Sequence, residues 1–164
     1  FVTITDDVLA PTWARSLEAA GRYVFCPLPL VETGSRVRVV GDGPSNWTCW
    51  LVVARPKGAP WSAWGTLRGA YVVPGERAFN GNEPGPRRIT GGKPLRAMQA
   101  IVEDYSRPGA LVVDPCSGGG TTLRAAIRAG RRCLGIDSDA VHAELSAQAI
   151  GKERPIGAQG ALFR

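Results

Sequence analysis

The sequence predicts an α/β fold, a doubly wound and mostly parallel sheet with flanking helices. Three stretches carry this. Residues 111–139, LVVDPCSGGGTTLRAAIRAGRRCLGIDSD, read as strand, glycine loop, helix, strand and acidic end. Residues 12–26 read as a helix stopped by Gly21 and followed by the strand RYVFC, the alternation from which parallel sheets are built. Residues 47–54, WTCWLVVA, are rich in the β-branched and aromatic side chains that favour a buried strand.

In chain order, FVTIT at the start forms a short strand that Asp6 and Asp7 stop. The helix over 12–20 places Trp13, Leu17 and Ala20 on one face, and Pro27 and Pro29 break the strand after it. Residues 32–40 stay open between an edge strand and a short helix. After the 47–54 strand comes a basic loop, Arg55-Pro56-Lys57-Gly58-Ala59-Pro60, and then a short strand over 70–73. Residues 74–92, PGERAFNGNEPGPRRITGG, are polar and punctuated by Gly and Pro, and form a loop. Lys93-Pro94 opens a helix, because proline suits the first helical turn. Leu95, Met98, Ile101, Val102 and Tyr105 give that helix an apolar face.

Leu111, Val112 and Val113 run without polar alternation, as expected of a central strand covered on both faces. Thr121 and Thr122 can cap the next helix. In it Leu123, Ala126 and Ile127 face the core, with Arg124 and Arg128 opposite, and Gly130 is the stop. Cys133, Leu134 and Ile136 make a second buried strand, closed by Asp137. A last helix spans 141–150 beside that strand.

The chain has 164 residues, enough for one domain with a real core, divided by the 74–92 loop into residues 1–73 and 93–164. Its net charge of +6 fits a polyanionic partner, although moderate basicity alone is weak grounds. It lacks the roughly 18-residue apolar run of a membrane helix, and no secretory signal is visible. Cys26, Cys49, Cys116 and Cys133 lack the spacing of a metal site and read as buried, reduced thiols of a cytoplasmic protein. No metal site is expected. His142, the single histidine, has no partner for a triad and reads as a surface or packing residue.

The glycine loop carries the chemistry. At Gly118, Gly119 and Gly120 the backbone can take positive φ, and no side chain keeps a ligand away. The following helix points N–H groups and its dipole at the same place. Asp137 ends the next strand, where such sheets put a carboxylate that accepts from ribose hydroxyls, ~20 residues on from the first strand. The dinucleotide spacing G-x-G-x-x-G fails, because Thr121, Thr122 and Leu123 follow the triplet, and the Lys-Ser/Thr phosphate loop is absent. The bland alternative is a tight structural turn with another ligand or none.

Asp114-Pro115-Cys116-Ser117-Gly118-Gly119-Gly120-Thr121-Thr122 resembles the D-P-F-x-G-S-G-T-T motif of DNA amino-methyltransferases, with Cys116 for the usual Phe and Gly119 for the usual Ser. Lys93-Pro94 upstream resembles the family's Lys-Pro helix start. The tail GAQGALFR resembles the family's Gln-x-x-Leu-Phe ending. The order, catalytic strand before cofactor loop, resembles the β group of phage and bacterial enzymes, including those of restriction-modification systems. The resemblance covers most of the chain and implies a Rossmann-like methyltransferase sheet.

It further implies S-adenosylmethionine as cofactor, held by Lys93, Pro94, Asp114, Pro115, Cys116, Gly118, Gly120, Thr121, Thr122 and Asp137. The substrate implied is double-stranded DNA, with a base flipped out for methylation of its exocyclic amine, and pairing of two copies as a homodimer. Arg55, Lys57, Arg87 and Arg88 are the candidate DNA contacts, with Trp61 or Trp64 able to stack on a base; the bland alternative is a set of solvated basic loops. Asp6 stands where the family's Asp-Pro-Pro-aromatic tetrapeptide begins, and Asp there favours adenine N6 over cytosine N4. Pro-Pro-aromatic does not follow it: Asp7, Val8 and Leu9 do. Either a loop lies outside this sequence, which the intact downstream motifs favour, or the motif is degenerate and the protein binds nucleic acid or a partner without methylating; an RNA methyltransferase on the same fold is a further alternative.

Overall fold

A computed structural model describes residues 1–34, 43–58, 65–74 and 92–153. The chain forms two compact units, Phe1–Phe79 and Asn80–Arg164. The expectations at Arg87, Arg88, Trp61, Trp64 and the tail lie outside the described residues, as does most of the 74–92 loop.

The first unit is organised by its longest strand, β4 (Thr48–Pro56), preceded by β1 (Val2–Thr5), α1 (Ala10–Ala19), β2 (Arg22–Val24) and β3 (Leu28–Thr33) and followed by β5 (Tyr71–Pro74). β4 is central because its sequence can bury both faces: Leu51, Val52, Val53 and Ala54 are all buried in succession. β1 pairs with it antiparallel, Ile4 opposite Leu51. β2 and β3 are also antiparallel to it, Tyr23 opposite Arg55 and Leu30 opposite Cys49. β5 lies parallel to β3, with Leu30 opposite Tyr71. Leu30, Leu51, Val52 and Tyr71 form the centre of this core.

The α/β class and the flanking helices stand, but the pairing in this unit corrects the expectation of a mostly parallel sheet. Parallel neighbours need a crossover of a dozen or more residues, usually a helix. Among the described residues no helix falls between β2 and β5. RYVFC is a three-residue strand with Arg22 and Tyr23 exposed, not a buried one. Helix α1 begins earlier than expected, with Pro11 in its first turn. Trp13 stays 40% exposed and stacks on Phe1 at 5.9 Å between ring centroids.

The second unit is a βαβ motif with two more helices: α2 (Leu95–Tyr105), β6 (Leu111–Asp114), α3 (Thr121–Arg128), β7 (Arg132–Gly135) and α4 (Ala140–Ile150). Here the parallel expectation holds, Val112 opposite Cys133 and Asp114 opposite Gly135, with α3 as the crossover. Helix α3 packs against α2, α4 and both strands, so its small residues Ala125 and Ala126 are fully buried beside Leu123. Ala97, Met98, Ile101 and Val102 supply the facing side from α2.

Among the described residues of this unit, β6 and β7 are not covered on both faces. Leu111, Val113, Leu134 and Ile136 are each about half exposed, while Val112 and Cys133 turn inward. Among the described residues each strand has one neighbour and α3 covers one side, so burial alternates with the pleat. The thiols differ from expectation as well: Cys49 is buried and Cys133 half-buried, but Cys26 and Cys116 are exposed, and none of the four is in a disulfide. Burial pushes the Cys133 thiol above its ordinary value.

Polar side chains tie the helix ends of this unit together. Glu153 receives Arg124 Nε and Arg128 Nε at 2.6 Å each, fastening the chain after α4 to α3. Arg131 reaches from the end of α3 to the end of α2, donating through Nε to Ser106 Oγ at 3.0 Å and through Nη2 to the Ser106 carbonyl at 2.6 Å.

Candidate functional site

β6 ends at Asp114, whose side chain folds back to accept from the Cys116 N–H at 3.0 Å and so starts the loop. The Ser117 N–H then donates to the Ile136 carbonyl at 2.9 Å, holding the loop to the residues after β7. Gly118 takes φ +49° and Gly120 φ +76°, conformations that L side chains rarely adopt. Gly120, not Thr121 or Thr122, is the N-cap of α3, and no side-chain cap bond is made. The two threonines are the first helical residues, and both line a cleft.

That cleft has a volume of ≈ 350 Å³, within the ordinary range of small-molecule sites. The loop residues Asp114, Cys116, Ser117, Gly118 and Gly119 form one wall, with Lys93 and Met98 from the α2 side and Asp137 and His142 from beyond β7. A side chain at Gly118 would meet nothing within 4 Å, so bare backbone faces open space. Gly120 and Gly135 answer to packing. A Cβ at Gly120 would lie 3.0 Å from the Ser146 Cα, and one at Gly135 would strike Leu123 Cδ1 at 2.4 Å.

Asp137 ties the site together. Its Oδ2 accepts from the Gly118 N–H at 2.7 Å, and its Oδ1 accepts from the Asp139 N–H at 3.0 Å. These two backbone bonds, the one from Asp139 foremost, hold its carboxyl below the ordinary aspartate range, with His142 nearby adding to the effect. The Ser138 N–H adds a weaker contribution, and a carboxylate with about four acceptor positions still has capacity for a ligand. Asp139 caps α4, its side chain accepting from the Val141 N–H at 2.8 Å.

Of the expected ligand-binding residues, Lys93, Asp114, Cys116, Gly118, Thr121, Thr122 and Asp137 converge on this cleft. Pro94, Pro115 and Gly120 are not among its walls: Pro94 is buried at the start of α2, and Gly120 supports the loop from behind. The sequence reading missed Ser117, Met98 as a wall residue and, above all, His142. A short run, Ser138 to Val141, turns the chain back after Asp137, and only that turn brings His142 to the cleft. The Ser117 Oγ is buried with no hydrogen-bond partner.

The first unit holds the other candidates. Asp6 follows β1, is exposed, and its Oδ1 accepts from the Leu9 N–H at 2.8 Å, shaping the turn into α1. Arg55 lies over the Tyr23 ring, 5.0 Å from its centroid, and 5.9 Å from that of Phe25, while Lys57 is exposed in the turn after β4.

A βαβ unit with a ligand cleft at the carboxyl ends of its strands is the arrangement of nucleotide- and nucleoside-binding α/β proteins. The DNA methylase sequence family, which comprises N6 and N4 enzymes, matches residues 64–148. That is more than half of the chain, and the chain belongs to this family. The fold agrees. It is similar to the M1.HpyAVI–SAM complex, with a TM-score of 0.73 at 20% identity over 90% of this chain and 72% of that one. It is similar also to TTHA0409 of Thermus thermophilus, described as a DNA modification methylase and complexed with S-adenosyl-L-methionine. There the TM-score is 0.69 at 21% identity, over 94% of this chain and 70% of that one. In Escherichia coli K12, YubD, named as a methylase, is 37% identical over 59 residues, 36% of this chain. The match spans 24% of the length of YubD.

Proposed function

We propose that this chain binds S-adenosylmethionine in the cleft between the glycine loop and Asp137, and transfers its methyl group to an exocyclic amine of duplex DNA. The observation that supports this most is the 2.7 Å bond from the Gly118 N–H to Asp137, which joins bare loop backbone and an ionised acceptor in one cleft. The charge of the walls suits this ligand better than a dinucleotide. Asp114 and Asp137 face one cation, Lys93, and no arginine lines the cleft among the described residues. A pyrophosphate would be repelled by the net negative charge there, whereas a sulfonium compound carrying an amine and a carboxylate, itself net positive, would be attracted.

In this reading the cofactor supplies a methyl group activated on a sulfonium. Asp137 accepts from the ribose hydroxyls. Gly118 and Gly119 allow close approach of the ligand to the backbone, and Lys93 neutralises the methionine carboxylate. Pro94, Pro115 and Gly120 act by shaping the backbone that carries these groups. Asp6 accepts a hydrogen bond from the target amine of a flipped-out base, with adenine N6 favoured over cytosine N4. Lys57 and the edge of the Arg55 guanidinium lie on DNA phosphates, with Arg87 and Arg88 as further contacts.

The second reading is a cofactor-binding relative that does not methylate. It is favoured by one observation: Asp7, Val8 and Leu9 stand in place of Pro-Pro-aromatic, and Asp6 is already engaged by the Leu9 N–H. One experiment separates the two. The protein is titrated with S-adenosylmethionine by calorimetry, then incubated with the methyl-labelled compound and mixed-sequence duplex DNA. Binding with label in adenine supports the enzyme. Binding without label supports the second reading, and absence of binding removes both.

A further inference from the structure

His142 does nothing in the scheme above, yet it is one of the walls of the cleft. It is 38% exposed, in the first turn of α4, and its Nδ1 lies 3.8 Å from Asp137 Oδ1 and 4.0 Å from Asp139 Oδ2. These separations are just beyond hydrogen-bond range, so neither bond is made, but a small rotation of the ring would make one. The contact falls on Asp137, the carboxylate assigned to the ribose hydroxyls. Besides Asp137 and Asp139 on the β7–α4 connection, the titratable or charged groups of the cleft are Asp114 and Cys116 on the glycine loop and Lys93 before α2; Glu144 follows on α4 itself. The near neighbours are therefore both carboxylates.

We propose that His142 is a positioning residue for the ligand's vicinal diol, acting through Asp137. This rests on the reading of the cleft as a nucleoside site. With the imidazole neutral, Asp137 is held by backbone donors alone and keeps acceptor capacity for the ribose hydroxyls. With the imidazole protonated, both ring nitrogens are donors and the ring carries a charge, so it turns onto Asp137 Oδ1 and competes with a hydroxyl for that atom. Binding of a diol is then weaker in acid, and the weakening belongs to His142.

The test uses 5′-methylthioadenosine, which keeps the diol and lacks the amino-acid end of S-adenosylmethionine, together with its 2′-deoxy counterpart. Affinities of the intact protein are measured by calorimetry at pH 8 and pH 5.5. Wild type is expected to bind methylthioadenosine about two- to five-fold more weakly at pH 5.5, the scale of a partly exposed ion pair. His142→Gln, neutral throughout, is expected to lose that dependence, the ratio of its affinities at the two pH values falling to about one. His142→Lys, charged throughout, is expected to bind weakly at both. The 2′-deoxy compound is expected to bind more weakly and with little pH dependence. A pH dependence retained by His142→Gln, or tight binding by His142→Lys at pH 8, overturns the role of His142 and leaves the nucleoside site standing. No binding of methylthioadenosine or S-adenosylmethionine at pH 8 overturns the site itself, and this inference with it.

Discussion

Asp137 is the side chain on which the site depends most, because it serves both the fold and the ligand. Asp137→Ala is expected to raise the Kd for S-adenosylmethionine about 10- to 100-fold, the range for hydrogen bonds to a charged group, as read by calorimetry. Its low pKa makes a pH prediction with a definite sign. A depressed folded value means that its contribution is full above the unfolded value and lost as pH falls through the folded one. Fluorescence-monitored acid unfolding should therefore show Asp137→Asn converging on wild type only at the acid end, below about pH 4, the unpaired aspartate value. Cys116, exposed in the cleft wall, gives a chemical check: S-adenosylmethionine should slow its alkylation but not that of the exposed Cys26.

Among the elements, α3 has the most to satisfy. Its N-terminus must leave the loop through a left-handed residue, and its buried face must admit α2, α4 and two strands. Gly120→Ala meets both costs, a positive φ and a Cβ 3.0 Å from backbone. It is expected to destabilise the unit by about 1–3 kcal/mol, measured by urea unfolding, and to weaken ligand binding because the loop moves. The charged side of α3 is structural too. Burial alone would raise the Glu153 carboxyl, but the bonds from Arg128 and Arg124 outweigh it and hold the group below its ordinary value. Glu153→Gln should cost about 1–3 kcal/mol near neutral pH, equal to a fall of roughly 3–10 °C in Tm for a chain of this size. The loss should shrink as pH drops through the folded value, where wild-type Glu153 is itself protonated.

At the scale of the whole molecule the basic balance and the cleft make separate predictions. If duplex DNA is the partner, its affinity should fall steeply with salt, the logarithm of the binding constant declining linearly with that of the salt concentration. Arg55→Ala and Lys57→Ala would each lower that slope if they touch phosphates. Arg55→Ala with an unchanged slope would assign that residue to its stack on Tyr23 and Phe25 alone. Ligand at about 100 times its Kd should stabilise the folded state by about 2.7 kcal/mol, visible as a higher Tm.

The sequence by itself determined the local parts of this protein. Asp114, the glycine triplet and Asp137 mark the strand–loop–helix–strand unit because their signals are local: an acid that stops a strand, residues free to take positive φ, and an acid just past the next strand. The apolar face of α2 and the density of β4 were legible for the same reason, since periodicity and β-branched content are properties of neighbouring residues. Tertiary structure alone decided what depends on partners. No pattern within RYVFC tells that it pairs antiparallel at the end of β4, or that β6 and β7 alternate between exposed and covered. Arg124 and Arg128 read as a solvated face until Glu153, distant in sequence, is brought onto them. His142 read as a surface residue for the same cause: its chemistry comes from two carboxylates and a cleft, and proximity of that kind is created by the turn after β7, not written in the spacing of the chain.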